Sequence, residues 1–274
     1  MRQRSSVIDA AVRTGAVRRT VHAFRRRKAL SQPVRFAALE LFGRDNRGAL
    51  HRLRDSPVRV AVRHRSPDII VLDEVLAGSL AYEPPEEMAH MLTDGMSVLD
   101  LGANVGLFGA FVLQRFPDAS IVSVEPDPFN VPVIKRCIEA NRGSWQLIRA
   151  SASVRSEQLL FEAGRYCHSR LAEVPSAQAI SVPAIDAFPL INSADFVKID
   201  IEGGEWPLLR DPRFQRVTPS VIVLEWHETG CWAEDAYGAA IEALTGAGYS
   251  TIGTRSAYSH GLIWGWRERV KARS

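Results

Sequence analysis

Residues 97–106 read Ser-Val-Leu-Asp-Leu-Gly-Ala-Asn-Val-Gly. An apolar strand here ends in an acid and passes into a glycine-spaced turn that can open straight into a helix. Chemistry needs that arrangement where a nucleotide-like cofactor lies across the carboxyl end of a parallel strand. Gly102 allows the backbone to come close to a ligand, and Gly106 lets the next helix start tightly against the strand. Asp100, at the strand tip, would repel a phosphate and attract a cation. The turn is therefore read as a seat for a positively charged cofactor.

A second acid supports this. Ile121-Val122-Ser123-Val124-Glu125-Pro126 places Glu125 at the tip of the next strand, 23 positions after Gly102. A carboxylate there can accept both ribose hydroxyls of an adenosine group. Alone, such an acid is more often a helix cap. Paired with Asp100-Leu101-Gly102 it reads as a ribose ligand. A dinucleotide is disfavoured, because Asn104 and Leu107 stand where the GxGxxG fingerprint has its second and third glycines. S-adenosylmethionine, which carries an amine and a sulfonium on an adenosine, fits the two acids. Asn104 can hydrogen-bond through its side chain or hold the turn in a left-handed conformation. Small residues after the third strand, Ala150-Ser151-Ala152, leave room for adenine, with Ser151 at its edge; an ordinary strand-to-loop turn would look the same.

A third constellation is Lys198-Ile199-Asp200-Ile201-Glu202-Gly203-Gly204-Glu205. Three carboxylates and a lysine are dense for a plain turn, although Glu205 as a helix cap and Lys198 as a sheet partner would explain some of them. Such a cluster can orient a hydroxyl, take its proton or hold a divalent cation; no metal site is assigned. The following strand ends Leu224-Glu225-Trp226-His227. His227 is expected to be the only histidine at that rim, and its ordinary pKa suits a general base. Asp200, Glu202 and His227 are the catalytic candidates. No Asn/Asp-Pro-Pro-aromatic motif, which suits methylation of exocyclic nitrogen, follows the fourth strand, and this favours an oxygen acceptor.

The elements that must position these residues alternate. Strands are expected at 97–101, 120–124, 145–149, 195–201, 220–226, 248–253 and 261–266, and helices at 106–115, 128–141, 206–210 and 234–246. This pattern makes a doubly wound α/β sheet, mostly parallel and seven-stranded. Residues 157–183 add short strands before the fourth core strand. The last two strands have no helix between them and form an antiparallel hairpin, which marks a class I methyltransferase (Rossmann-like) sheet. Upstream, alternation from Val58 to Val62 reads as an edge strand, and Glu86 to Leu92 as a short helix.

The chain has 274 residues, 46% hydrophobic and 24% charged, enough for a globular core. The three cysteines are scattered with no CxxC pair, so neither a disulfide framework nor a zinc site is supported, and a reducing, cytoplasmic setting is expected. No apolar run has the length of a membrane span. Residues 1–54 hold 14 Lys and Arg against 3 Asp and Glu, a net +11, whereas the rest of the chain carries −8. They are read as a basic helical extension, with the domain proper at 55–270. Within it, 6–30 has Val17, Val21 and Phe24 at helical spacing among arginines. A solvated capping helix or tail is the plainer reading; a peripheral contact with an anionic membrane or a partner is the other. Without interleaved aromatics, nucleic-acid binding is not expected.

Together the motifs resemble the FkbM family of S-adenosylmethionine-dependent methyltransferases. The resemblance runs from about Asp68 through Trp232. It is carried by Ser66-Pro67-Asp68-Ile69-Ile70-Val71 leading to Tyr82, the Asp100 turn, Val124-Glu125-Pro126, Val182-Pro183-Ala184-Ile185-Asp186, the Lys198–Glu205 run and Leu224-Glu225-Trp226-His227. Gly204 stands where the family more often has Ala. The resemblance implies methyl transfer to a hydroxyl of a sugar, glycan, glycolipid or polyketide-type acceptor. Asp100, Gly102, Asn104, Gly106 and Glu125 would hold the cofactor, with Ala103 and Pro126 beside them. Two other readings are a methyltransferase acting on a protein or RNA group and a non-catalytic cofactor-binding scaffold.

Overall fold

The computed structural model describes residues 29–43, 48–77, 82–165, 169–171, 179–254 and 259–268. Nearly all of the basic helix expected over 6–30 lies outside these residues. The chain enters through α1 (Pro33–Phe42) and a hairpin of β1 (Ala49–Arg52) and β2 (Arg59–Val62), then α2 (Asp68–Leu72), extended by a π turn over Asp73–Ala77, and α3 (Glu86–Ala89). The first half of the core follows as β3 (Ser97–Leu101), α4 (Leu107–Arg115), β4 (Ser120–Val124), α5 (Val131–Glu139) and β5 (Ser144–Ile148). Next come β6 (Ser151–Ser153), β7 (Glu157–Glu162), β8 (Arg170–Leu171), β9 (Ala179–Asp186) and α6 (Phe188–Ser193). The second half is β10 (Phe196–Ile199), α7 (Glu205–Arg210), β11 (Val221–His227), α8 (Ala236–Gly246), β12 (Ser250–Gly253) and β13 (His260–Trp266).

The central sheet runs β12-β13-β11-β10-β3-β4-β5. Every pairing in it is parallel except those of β13, which runs against both β11 and β12. The strands are apolar at both parities because both faces are covered. Val98, Phe196, Val221 and Val223 face one core with α4 and α5. Leu99, Val197, Ile222 and Leu224 face the other with α6, α7 and α8. The order reverses between β3 and β10, so a crevice opens at their carboxyl ends, where open α/β sheets take ligands.

The expected inserted strands form a separate sheet, β6-β9-β7-β8, on the crossover from β5 to β10. The strand expected from Val58 pairs with β1 as its own hairpin rather than edging the main sheet. Several expected boundaries move inward, among them those of β10 and β12. β10, expected to reach residue 201, stops at Ile199, so Asp200 lies beyond the strand; Glu202 turns left-handed (φ 53°) and Gly203 follows (φ 96°). β12 begins at Ser250 because Gly248 (φ 85°) makes the turn out of α8. Among the described residues, no helix is long and apolar enough to cross a membrane.

Candidate active site

The glycine turn and the second acid are stitched together by backbone hydrogen bonds. The amides of Gly102 and Ala103 both donate to the Val124 carbonyl at 3.1 Å. Asn104 (φ 51°) donates its amide to Glu125 Oε2 at 2.7 Å. Glu125 Oε1 accepts from the Asp127 amide at 2.8 Å and from Asn130 Nδ2 at 3.4 Å. Burial raises the Glu125 carboxyl from its ordinary value to about 8, against the lowering effect of those amides. Gly102 (φ 80°) packs so tightly that a Cβ there would lie 1.7 Å from the Asp200 carbonyl oxygen. At Gly106 (φ 85°) a Cβ would meet Ile134 of α5 at 2.9 Å and Trp145 of β5 at 3.2 Å, so the start of α4 packs closely against both.

A cavity of about 880 Å³ lies over these strand ends, within the range of small-molecule sites. All the expected site residues line it except Asp100 and Gly106. The expectation for Asp100 is therefore corrected. Its carboxylate is fully buried, with Lys198 Nζ at 3.3 Å and the Ser123 hydroxyl at 3.4 Å. An acid in that position is already matched to a cation of the chain itself. Burial raises its pKa, and Lys198 opposes the rise.

Lys198, which the sequence suggested as a sheet partner, pairs with Asp100, its register neighbour on β3. Its ammonium donates to the Gly102 carbonyl at 3.0 Å and pairs with Asp200 Oδ2 at 3.1 Å, joining the glycine turn to the second acidic run. Burial works against its charge, but Asp200 and Asp100 outweigh this and hold its pKa above the usual lysine value.

On the far side of Lys198 the remaining acids meet His227. Glu205, fully buried at the start of α7, accepts from the His227 amide at 2.9 Å and holds His227 Nδ1 at 3.0 Å. Its other oxygen takes the Gly203 amide at 2.9 Å. His227 Nε2 is left facing Glu202 Oε2 at 3.7 Å and Glu225 Oε1 at 4.0 Å. Burial lowers the His227 pKa, yet the hydrogen bond to Glu205 and the charges of Glu205, Asp200 and Glu202 lift it to about 9. This upward shift favours the protonated ring, whereas the sequence reading took His227 as a base near neutral pH. Burial raises Glu202 to about 7 despite the lowering influence of His227, and Glu225 to about 8.

His227 is also not the only histidine at the rim. Because β13 is antiparallel, it starts where β11 ends, and His260 sits opposite His227 in register with ring centroids 5.9 Å apart. Tyr82 reaches in from the other side, donating to Glu225 Oε2 at 3.3 Å. Asp200, Glu202 and His227 offer ligand atoms within 4.8 Å of one another. With Lys198 already 3.1 Å from Asp200, the cluster carries its own counter-charge, and no metal is assigned to it.

The reversed seventh strand, the glycine turn and the acid at the tip of β4 define a class I methyltransferase. The chain belongs to the FkbM methyltransferase family: the family's model, described as a methyltransferase FkbM domain, matches residues 100–251. The matched region is thus a domain of S-adenosylmethionine-dependent methyltransferases. The residues present suit that cofactor. Asn104 Oδ1 is buried without a hydrogen-bond partner beside the glycine cradle, an acceptor awaiting a donor.

Among curated proteins, the AMB antimetabolite synthetase AmbE of Pseudomonas aeruginosa is 32% identical over 114 residues, 39% of this chain. The match spans only 5% of that longer protein. Among solved structures, a precorrin-6y C5,15-methyltransferase from Geobacter metallireducens is 17% identical with a TM-score of 0.39, covering 71% of this chain and 96% of its own. Fibrillarin from Aeropyrum pernix, in complex with S-adenosyl-L-methionine, is 13% identical with a TM-score of 0.41, covering 63% and 67%.

Proposed function

We propose that the protein methylates a hydroxyl group on a sugar, glycan, glycolipid or polyketide-type acceptor. The observation that carries this reading is the pairing of Glu202 with His227 at the cavity wall. An alcohol is a weak nucleophile, and its proton must leave as the new bond forms. Glu202, with a pKa of about 7, is half ionised near neutral pH and accepts that proton at Oε2. The His227 imidazolium, fixed by Glu205, stabilises the ionised carboxylate and turns its Nε2 donor toward the acceptor. Asp200, tied to Lys198, orients the hydroxyl from the other side.

S-adenosylmethionine supplies the activated methyl group. Gly102, Ala103, Asn104, Glu125, Pro126 and Ser151 would hold it, and Asp100 and Gly106 would shape the turn beneath. Alignment of acceptor, methyl and leaving group is worth about 7–11 kcal/mol in favourable cases.

The test is transfer of labelled methyl from S-adenosylmethionine to extracted glycan, glycolipid and polyketide fractions, with alkaline stability of the product as the mark of an ether. Label in such a product supports the reading. Label in protein, in RNA or on nitrogen overturns it, and cofactor binding without transfer to any fraction leaves a scaffold instead.

A further inference from the structure

The strongest feature outside the cavity is α1. Its inner face is buried: Phe36, 1% exposed, lies edge-on to the rings of His51 and His64, both 4.8 Å away. Its Glu40 accepts from the Arg65 amide at 3.1 Å and holds His64 Nδ1 at 3.0 Å. An amphipathic helix docked in this way should turn polar side chains outward. This one does not. Val34 is 82% exposed, Leu41 57% and Phe42 80%, and Ala38 between them is exposed too. Positions 34, 38, 41 and 42 follow the spacing of a single helical stripe. The one acid of the helix, Glu40, is on the buried side, and the one cation, Arg35, is exposed.

The chain that leads into this helix is strongly basic. Residues 1–28 hold nine Lys and Arg against one Asp, and Arg25-Arg26-Arg27-Lys28 stands five residues before Pro33. Five residues span at most about 18 Å, so this charge is tethered within that distance of Pro33 at the start of the helix.

We infer that α1, together with the basic run before it, docks the protein on an anionic lipid bilayer. An apolar stripe without basic charge would suit many partners, and a basic tail without apolar side chains would bind weakly. The two together are what stable peripheral attachment requires. A second copy is a poor occupant, because it would bring another nine basic residues to the same face. Residues 55–274 carry −8, so attraction to the bilayer is confined to this end, and like-charge repulsion turns the rest of the molecule away.

The test is co-sedimentation of the full chain with phosphatidylcholine vesicles, with and without phosphatidylglycerol. Binding is expected only with the anionic lipid, and added salt should release it. A triple variant, Arg25→Gln, Arg26→Gln and Arg27→Gln, should weaken partitioning about a hundredfold. Phe42→Ser with Leu41→Ser should weaken it by roughly tenfold or more. Unchanged S-adenosylmethionine affinity in both variants confirms that they are folded. Three results overturn the inference: no sedimentation with phosphatidylglycerol, sedimentation indifferent to Phe42 and Leu41, or a dimer in light scattering that those serines dissolve.

Discussion

Glu202 and His227 divide the work of one ionised pair, and their titrations set a pH window. Glu202 acts as a base only when ionised, above about 7, and His227 supports it only when protonated, below about 9. The rate under kcat/KM conditions should therefore rise with pH through about 7 and fall through about 9, a bell reporting both groups. Glu202→Gln should remove the acid limb and lower kcat by roughly 10²–10⁴-fold, with little change in S-adenosylmethionine affinity measured by calorimetry. A bell that survives in Glu202→Gln assigns the base elsewhere. Gly102 makes a different kind of demand. Alanine there needs a left-handed φ and places its Cβ 1.7 Å from a backbone oxygen of Asp200, which cannot yield as a side-chain tip could. Gly102→Ala should cost about 3 kcal/mol or more and abolish saturable cofactor binding. Chemical denaturation and calorimetry read the two effects, and wild-type values in both would refute the packing argument.

At the scale of elements, the site is braced from outside the sheet. Arg63, just past β2, forks onto Asp68 at the start of α2, its Nε and Nη2 each 2.8 Å from a carboxylate oxygen. Its guanidinium also donates to the Phe129 carbonyl at 3.0 Å and to Asn130 Oδ1 at 2.7 Å, and Asn130 in turn reaches Glu125. The upstream hairpin, α2 and the loop before α5 are thereby locked to the carboxylate proposed to hold the ribose. Asp68 is 1% exposed, so Arg63→Ala strands a buried charge and should cost roughly 3–5 kcal/mol, with cofactor affinity falling as well. Arg63→Lys should not rescue it, since a point charge cannot fork; rescue in a urea melt would mean that charge alone suffices.

Much of this scale was legible in residue order. β3 and β4 fall where the apolar runs stop, because strands buried on both faces announce their ends by their first acid. Asp68 was visible only as part of a motif, since the Arg63 fork that holds it also closes on Asn130, which is brought there through space. His260 was missed for a topological reason: a reversed strand delivers its first residue, not its last, to the rim. The length of β10 was overestimated because the apolar Ile201 continues the pattern after the backbone has already turned.

Across the whole molecule, the site is held against the stability of the fold. Glu125, Glu202 and Glu225 have folded pKa values raised to about 8, 7 and 8 from an ordinary 4.5, and His227 is raised to about 9 from 6.5. All four shifts have the same sign. Between pH 4.5 and 9 these groups bind more protons in the native state than in the unfolded chain, so their contribution to stability declines as pH rises. For the carboxyls the loss runs from the unfolded value near 4.5 up through 7 to 8. For His227, stabilisation is complete below 6.5 and is lost through 9. The melting temperature should therefore fall steadily from pH 6 to pH 9, unlike that of a protein whose acids are paired and lowered. Glu202→Gln combined with Glu225→Gln should flatten that slope while reducing turnover, because the buried charge that destabilises the alkaline form sits on the groups that give the cavity its reactivity. Saturating S-adenosylmethionine should raise the melting temperature at each pH by linkage. Differential scanning calorimetry across that range decides the matter: a flat or rising profile, or a slope unchanged in the double variant, would mean that the acidic cavity imposes no cost on the fold.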